Sequence, residues 1–394
     1  MLTLPIYLDN HATTRCDPRV VDAMLPYFTT IYGNSASVSH SFGWAAEAAV
    51  EKARDQVAKA LGAENREIVF TSGATEANNL ALKGAVPFLK KKGNHLITSS
   101  VEHKAVLDPL KRLAREGWNL TILPSDEFGM VAPESVEAAI TDQTVLISIM
   151  TANNEIGTIN PISEIGRVCH ERGILFHTDA TQAVGKIPLD VQNDRIDLLS
   201  LSAHKVYGPK GIGALYVRRR EPQVRLSPLF DGGGHERGMR SGTIAVPLVV
   251  GLGEALEIAM RERDEEAIRL KRLRERLHRG IAERVPEIHL NGHPEIRLAG
   301  NLNLSFGYVE GEALMMAMRN VAVSSGSACT SAEPEPSHVL RAIGLDEDLA
   351  RASLRFGLGR FTTEEEIDYA VEAVTLAVKQ LRVHSAAWSF RHGS

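Results

Sequence analysis

Short apolar runs rich in branched residues alternate with helix-like stretches over the first half of the chain. The runs lie at 67–70, 95–98, 120–123, 145–150, 174–177, 197–201 and 211–217. Helical spacing appears between them, for example at 104–116 and 133–140. This alternation predicts βαβ units around a mostly parallel sheet that is covered on both sides. Ligands of such sheets bind beyond the carboxyl ends of the strands.

The pattern changes after about residue 250, where a charged stretch ends near Pro286. Apolar side chains repeat in it at helical spacing, namely Leu270, Leu273, Leu277 and Ile281. We expect this helix to lead the chain into a second lobe. In that lobe, residues 301–306 alternate like a half-buried strand and residues 363–381 have the pattern of a helix.

The composition is that of an ordinary globular protein large enough for two lobes. The chain has 394 residues, of which 44% are hydrophobic and 24% charged, and its net charge is -5. This charge gives no reason to expect direct contact with nucleic acid. No segment approaches the roughly 20 uninterrupted apolar residues of a membrane span, and the amino terminus lacks a secretory signal pattern. The sequence therefore predicts a cytoplasmic protein that does not enter a membrane.

The cysteines lie far apart, at positions 16, 169 and 329, so neither a disulfide framework nor a paired-cysteine zinc site is indicated. Cys169 follows apolar residues at helical spacing and is predicted to be a core residue, whereas Cys16 has no evident role. Cys329 lies in the run SSGSACTS at 324–331. Small and hydroxylated neighbours suit a mobile nucleophile, but taken alone the run favours an idle loop thiol.

Polar motifs follow the ends of several predicted strands. The run TSGATEAN at 71–78 opens a helix and could hold a phosphate, or it could be a plain helix cap formed by Ser72 or Thr75. In HTDATQ at 177–182, Asp179 could pair with a protonated ring nitrogen, although a lone aspartate is more often a turn residue.

A lysine follows another predicted strand, in the run SLSAHKVYGPKG at 200–211. Lys205 at a strand end, beside hydroxyl, imidazole and glycine, is typical of an amine that forms a Schiff base. His103 could stack on a ring and move a proton, or simply begin a helix. Asn154 offers an amide at a further strand end. Arg355 is a candidate clamp for a substrate carboxylate, although an arginine in a strand is more often a surface residue.

In order and spacing, these segments resemble the pyridoxal-phosphate cysteine desulfurases of the housekeeping iron-sulfur and nitrogen-fixation type. The resemblance extends from YLDNHATT at 7–14 to about Arg382. Its most specific parts are TSGATE at 71–76, SAHK at 202–205, GGGHERGMRSGT at 232–243, and SSGSACTS at 324–331 followed by EPSHVLR at 335–341.

The family implies an α/β fold of the aspartate-aminotransferase-like class, fold type I of the pyridoxal-phosphate enzymes. A large cofactor domain with a mixed, mostly parallel sheet would span residues 14–257. A small α+β domain would be formed by residues 1–13 and 258–394 and would carry the cysteine loop.

By matching position, the resemblance implies a role for each residue around the cofactor ring. Lys205 would carry the cofactor as a Schiff base, and Asp179 would pair with the pyridine nitrogen. Gln182 would contact the ring hydroxyl, and His103 would stack on the ring.

The resemblance also implies which residues hold the phosphate and the substrate. The phosphate would be held by Ala74, Thr75, Ser202 and His204. Thr243 of a second subunit would reach the same phosphate, so that a homodimer forms the site. Asn154 and Arg355 would bind the substrate carboxylate, with Asn154 also close to the cofactor.

The implied reaction starts from L-cysteine. Lys205 would remove the α-proton, the thiolate of Cys329 would attack the substrate sulfur, and His103 would carry protons. The products would be alanine and a persulfide on Cys329, which passes its sulfur to an iron-sulfur scaffold, a tRNA-thiolation protein or another sulfur carrier. The resemblance leaves open whether Cys329 also ligates an iron-sulfur cluster.

Two segments depart from the family pattern. The tail at 389–394 ends before the longer extension with which some relatives dock a scaffold, and Asn10 and His11 differ from the residues usual in either subgroup. Two other interpretations remain: another fold type I enzyme, such as an aminotransferase or a selenocysteine lyase, and a catalytically silent protein that kept the fold. Cys329→Ala tests the first, and the cofactor absorbance of Lys205→Ala tests the second.

Overall fold

The computed structural model describes residues 2–325 and 336–392. Its strands are β1 (Ile6–Tyr7), β2 (Ile68–Thr71), β3 (His95–Ser99), β4 (Asn119–Leu123), β5 (Thr144–Ser148), β6 (Leu175–Asp179), β7 (Leu198–Ser202), β8 (Gly213–Val217), β9 (Ile288–Leu290), β10 (Asn301–Phe306), β11 (Val321–Ala322), β12 (Ser324–Ser325) and β13 (Ser353–Gly357). Its helices are α1 (Pro18–Met24), α2 (Pro26–Thr29), α3 (Ser41–Leu61), α4 (Ala74–Leu89), α5 (Lys104–Arg115), α6 (Pro133–Ala139), α7 (Ile162–Glu171), α8 (Val246–Ala282), α9 (Gly311–Ala317), α10 (His338–Ala342), α11 (Glu347–Arg351), α12 (Glu364–Val383) and α13 (Ala386–His392). None of the helices in these ranges is both long enough and apolar enough to cross a membrane.

The central sheet has the strand order β2-β8-β7-β6-β5-β3-β4. Strand β8 is antiparallel to both of its neighbours, and the remaining pairs are parallel. Successive residues of one strand face two different cores: Ile68 and Phe70 pack on one side, and Val69 packs on the other. The predicted mostly parallel, two-sided α/β sheet is confirmed.

A second sheet has the order β12-β13-β10-β9 and is antiparallel throughout. Its core includes the four apolar residues predicted at helical spacing, Leu270, Leu273, Leu277 and Ile281. They lie in the second half of α8, which begins at Val246 and ends at Ala282, before Pro286.

Strand β10 has the predicted bounds, but the prediction that it is half-buried is wrong. All of its residues are buried, because it is covered on both faces. Leu302, Leu304 and Phe306 join the core, while the asparagines on the opposite face bond to buried polar groups. Asn303 Nδ2, for example, donates to the carbonyl oxygen of Glu155 at 3.1 Å.

The first residues of the chain lie against the second sheet. Strand β1 pairs in parallel with β11, where Ile6 is in register with Val321. Beyond it, the backbone N–H and the side-chain amide of Asn10 both donate to the carbonyl oxygen of Gly357, at 3.0 and 2.8 Å. The amino-terminal segment therefore connects the second sheet with the region beyond the ends of β6 and β7. The division of the chain into two domains at residue 257 stays a prediction.

Candidate active site

A cavity of about 600 Å³ lies beyond the carboxyl ends of the parallel strands. The predicted site residues that line it are Ala74, Thr75, His103, Asn154, Asp179, Gln182, Ser202, His204, Lys205 and Arg355. Thr243 is exposed and does not line the cavity of its own chain. Cys329 lies outside the described residues. Side chains that are far apart in the sequence, from Ala74 to Arg355, thus line one cavity.

Helix α4 begins at the floor of this cavity. Its N-cap residue, Gly73, has a φ of 152°, a backbone conformation that glycine adopts readily. Neither Ser72 nor Thr75 caps the helix, because the N-terminus has no side-chain cap hydrogen bond. The first backbone N–H groups of α4 are therefore available to an anion, and the helix dipole favours negative charge there. The alternative that this motif is a plain helix cap is wrong.

Asp179, the last residue of β6, presents a fixed carboxylate to the cavity. Its Oδ2 accepts a hydrogen bond from Asn78 Nδ2 at 2.7 Å, and its Oδ1 accepts one from the backbone N–H of Thr181 at 3.0 Å. Asn78 is fully buried, and its Oδ1 has no partner among the described residues. A carboxylate held in this way can accept a hydrogen bond from a cationic ring nitrogen.

Lys205 lies just after β7 and has a strongly perturbed amine. Its pKa is lowered to about 8, chiefly by burial. The positive charge of Arg355 also lowers this pKa, whereas the negative charges of Asp9 and Asp179 raise it. Its Nζ donates to the carbonyl oxygens of His11 and Ala12, each at 2.6 Å. The amine is therefore held at the cavity wall and loses its proton far more easily than an ordinary lysine.

The orientation of Gln182 is determined by three neighbouring groups. Lys186 Nζ donates to the amide oxygen of Gln182 at 3.0 Å. Burial and nearby cations, Lys186 first among them, hold the pKa of His11 well below its usual range, so its ring is neutral. Its Nδ1 contacts the same oxygen at 3.0 Å and therefore carries the proton. One N–H of Gln182 donates to the carbonyl oxygen of His11 at 3.0 Å, and the other remains for a ligand.

His103 is the N-cap of α5, as the helix-start alternative predicted, and it also lines the cavity, while stacking on a ring and proton transfer stay predictions. Its Nδ1 accepts the backbone N–H of Ala105 at 3.0 Å. When the ring is neutral, its proton must then be on Nε2. Nε2 is therefore the nitrogen that can exchange protons with a ligand.

Arg355 projects from the middle of β13 and is held from two sides. Its Nη2 donates to Asp9 Oδ1 at 2.9 Å and to Ser324 Oγ at 2.8 Å, and its Nη1 donates to the carbonyl oxygen of Asn154 at 3.1 Å. Its Nε is buried and has no partner among the described residues. The guanidinium is thus pre-oriented, and two of its five N–H donors, on Nε and Nη1, are not used by these contacts.

Several residues that shape the site were not predicted. Asn78 and Asp9 lie inside runs that the sequence already marked, but nothing in those runs shows that they hold Asp179 and Arg355. Lys186 lies four residues after Gln182, contacts its amide oxygen and does not line the cavity. Burial lowers the pKa of Lys186 to about 7. The sequence contains the spacing of this lysine from Gln182, but not the partial burial that changes its pKa.

The chain is similar to known proteins over nearly its whole length. The aminotransferase class-V family model matches residues 6–370. A cysteine desulfurase IscS of Anaeromyxobacter dehalogenans (strain 2CP-C) is 59% identical over 97% of this chain and 94% of that protein. Among solved structures, a NifS-like protein has a TM-score of 0.89 at 39% identity, covering 95% of this chain and 100% of that one. SspA in complex with cysteine has a TM-score of 0.79 at 40% identity, covering 92% of this chain and 100% of that one.

Proposed function

The chain belongs to the class-V aminotransferase family and, within it, to the cysteine desulfurases, and on this premise we propose how its residues carry out the reaction. It removes the sulfur atom of L-cysteine, releases L-alanine and holds the sulfur as a persulfide on Cys329. One observation carries the proposal. Lys205, whose pKa is lowered to about 8, and Asp179 line the same cavity, and the uncapped start of α4 lies at its floor.

Pyridoxal phosphate suits the chemistry of this cavity, because the lining residues offer a complementary partner for its phosphate, its ring nitrogen and its ring oxygen. The phosphate would be held by Ala74, Thr75, Ser202 and His204. Asp179 would accept a hydrogen bond from the ring nitrogen, the free N–H of Gln182 would donate to the ring oxygen, and His103 would stack on the ring. When bound, pyridoxal phosphate supplies an electron sink for a carbon that has lost a proton.

Lys205 and His103 move the protons of the reaction. At a pKa of about 8, roughly a tenth of the Lys205 amine is neutral at pH 7, against about one in three thousand for an ordinary lysine. Its Nζ can therefore accept the α-proton of cysteine. Arg355 and Asn154 hold the substrate carboxylate so that the α-carbon faces Nζ. His103 carries protons on Nε2, because its Nδ1 accepts a backbone N–H.

Cys329 receives the sulfur. Its thiolate attacks the sulfur of the bound cysteine, so that a sulfur-sulfur bond forms while the bond between the β-carbon and sulfur breaks. The electron pair of the broken bond stays with the carbon skeleton, which takes up a proton and leaves as alanine. An acceptor with a nucleophilic thiol then removes the outer sulfur, as a scaffold for iron-sulfur clusters or a sulfur carrier would do.

We infer that the active molecule is a homodimer. An exposed apolar surface is formed by Tyr32, Val38, Phe42 and Trp44, which we call the aromatic patch. The ring centroids of Tyr32 and Phe42 lie 5.4 Å apart, and Trp44 Nε1 donates to the carbonyl oxygen of Val38 at 2.7 Å, so the patch consists of two contacting pairs. Large apolar side chains exposed close together in the sequence favour a protein contact. Thr243 does not line its own cavity and would serve the phosphate of the partner.

We place the reaction in the cytoplasm. Attack by Cys329 requires a free thiolate, and a reducing compartment keeps thiols in that state. Cys16 and Cys169 are both free thiols, consistent with this location.

The test is to incubate the purified protein with L-cysteine and to map added sulfur by mass spectrometry. We expect one added sulfur atom on the peptide that contains Cys329, and equimolar alanine. Cys329→Ala should abolish sulfur transfer, because no thiolate remains to attack the substrate sulfur. Lys205→Ala should abolish both alanine formation and the visible absorbance of the bound cofactor.

The other two cysteines serve as internal controls. Cys169 lies in the core, where burial raises the pKa of its thiol, and Cys16 is half-buried with its pKa also raised by burial. Both should stay unmodified, and Cys16→Ala should transfer sulfur as the unchanged protein does. Sulfur on Cys16 or Cys169, or transfer that survives Cys329→Ala, would contradict the proposed role of Cys329.

A further inference from the structure

The segment between β8 and α8 contains a glycine-rich stretch, residues 232–243, which we call the arm. Gly232, Gly233 and Gly234 are exposed at its beginning, and Gly242 and Thr243 are exposed at its end. The middle of the arm is different, because Glu236 and Met239 are buried there. The arm therefore has a fixed centre and an exposed tip that carries Thr243.

Glu236 holds the centre of the arm in the protein interior. Its carboxylate accepts two hydrogen bonds from the Arg54 guanidinium, at 2.7 and 2.9 Å, and one from the backbone N–H of Phe70 at 2.7 Å. Both side chains of the ion pair are almost completely buried, at 2% and 4% exposure. The guanidinium carbon of Arg54 also lies 4.6 Å from the centre of the Phe70 ring. A buried, two-pronged ion pair fixes orientation as well as distance.

The backbone of the arm is strained at the same place. Glu236 has a φ of 49° and Arg237 a φ of 56°, in a region that residues other than glycine seldom adopt. Such a conformation persists only where surrounding contacts enforce it. Here the enforcing contacts include those between Glu236, Arg54 and β2.

A second contact joins the arm to the phosphate-binding turn of its own chain. Arg240 Nε donates to Glu76 Oε1 at 2.8 Å, and Glu76 Oε2 accepts the backbone N–H of Ser72 at 2.7 Å. Burial raises the pKa of Glu76, but these hydrogen bonds lower it by more, so the net pKa lies below the usual value. The Glu76 carboxylate is therefore ionised at neutral pH. Thr243 follows only three residues after Arg240, so the chain enters the exposed end of the arm from a point that Glu236 and Arg240 hold in place.

We propose that Glu236 is a positioning residue for the other subunit: anchored by Arg54 and β2, it fixes the arm so that Thr243 meets the cofactor phosphate bound by the partner chain. The inference rests on the proposed homodimer with pyridoxal phosphate. It adds that a residue that does not line the cavity of its own chain controls cofactor affinity across the interface and not within its own chain.

Mixed dimers test this directly. One chain carries Lys205→Ala, which cannot form a Schiff base, so the cofactor absorbance reports only the site of the other chain. Glu236→Gln is then placed either on the chain that carries Lys205→Ala, which we call the silenced chain, or on the chain that keeps Lys205, which we call the reporting chain. The dissociation constant for pyridoxal phosphate is measured by absorbance titration. Glu236→Gln on the silenced chain should weaken binding at the reporting site about tenfold, the scale expected for one lost charge-assisted contact. On the reporting chain it should change binding less than about twofold.

The remaining outcomes overturn the proposal. Weakening only from the reporting chain would mean that the arm serves its own site. Equal weakening from both positions would mean that Glu236 does not act specifically on the partner's site, and no weakening from either position would mean that Glu236 has no positioning role. Native mass spectrometry of the unchanged protein is read separately: a monomer there would refute the proposed dimer itself.

Two further variants guard against misfolding of Glu236→Gln. Arg54→Lys keeps the buried charge but cannot reproduce the two-pronged contact, so it should give a smaller weakening with the same dependence on chain. Asp231→Asn removes a negative charge from an exposed position beside the arm and should leave the dissociation constant unchanged. Weakening by Asp231→Asn equal to that by Glu236→Gln would show that overall charge, and not the anchor, is responsible.

Discussion

Lys205 shows how strongly position can change the chemistry of one side chain. Burial lowers the pKa of its amine to about 8, and Arg355 lowers it further while Asp9 opposes that effect. Because the neutral amine is the nucleophile, the rate at which cofactor-free protein reacts with pyridoxal phosphate should fall about tenfold per pH unit below pH 8 and level off above it. Absorbance measured in stopped flow between pH 6 and pH 10 gives this profile.

Substitution of the two neighbouring charges should move this profile in opposite directions. Arg355→Met removes a cation and should raise the pKa of Lys205 by about one unit, whereas Asp9→Asn removes an anion and should lower it. Arg167→Met, at an exposed position, is the matched control and should not move the profile. Shifts of the same sign for Arg355→Met and Asp9→Asn would contradict the electrostatic explanation.

At the scale of residues, the sequence indicates which groups act but not the state in which they are held. Asp179 and Gln182 were predicted from their place after β6. That Asn78 holds the carboxylate, and that Lys186 and His11 fix the amide, depends on side chains buried by tertiary packing. The proton position on His11 follows from a contact across 171 residues, which no local pattern contains.

At the scale of elements, α8 joins the two packed regions of the chain. Leu277 is fully buried in the second core, whereas Ile268 on the same helix is 74% exposed. Leu277→Ala should lower the free energy of unfolding by about 2 to 5 kcal/mol because it leaves a cavity. Ile268→Ala should change it by less than about 0.5 kcal/mol. Urea denaturation followed by circular dichroism measures both, and equal losses would refute the assignment of Leu277 to the core.

The strands of the central sheet were predicted to within a few residues, because apart from the edge strand β4 they are buried and rich in apolar residues. The run at 145–150 ends late, since β5 stops at Ser148. Met150 is buried and apolar, but its backbone N–H donates to Glu102 Oε1 at 2.7 Å and not to a neighbouring strand. The apolar run at 145–150 therefore shows which residues are buried, whereas backbone hydrogen bonds determine the residue at which β5 ends.

One long helix, α3, has no counterpart among the predicted elements. It packs against the first half of α8 through small residues, and a Cβ added to Gly253 would lie only 2.9 Å from the Cα of Ala53. Close contact between helix backbones needs glycine and alanine. A pattern based on large apolar side chains carries little signal for such an interface.

At the scale of the whole molecule, the aromatic patch predicts a dimer. Val38 is 75% exposed in the single chain. Val38→Asp should shift sedimentation equilibrium toward the monomer, because an aspartate would lose its hydration in an apolar contact. Cofactor affinity should fall with it, since Thr243 of the partner is no longer supplied.

Val383 is the matched control, because it is also 75% exposed but lies at the end of α12. Val383→Asp should leave both the association state and the cofactor affinity unchanged. A dimer that persists in Val38→Asp would show that the aromatic patch is not the interface. A monomer of the unchanged protein would refute the dimer altogether.

The convergence of site residues could be predicted only in part. Side chains at the ends of parallel strands meet at one edge of a sheet, which places Asp179 and Lys205 together from the strand pattern alone. Arg355 comes from the second sheet and contacts Asp9 near the amino terminus. Only the assembled fold brings these residues together.

The contact between Asp9 and Arg355 also has a consequence for the timing of synthesis. The two residues are 346 positions apart, and Lys205 depends on carbonyl groups only two and three positions after Asp9. At typical translation rates, roughly 20 to 70 seconds separate the appearance of Asp9 from that of Arg355. A ribosome-bound chain that ends between Lys205 and Arg355 therefore lacks the guanidinium that helps to lower the pKa of this lysine. The pKa of Lys205 can reach its value in the folded protein only after Arg355 has been made.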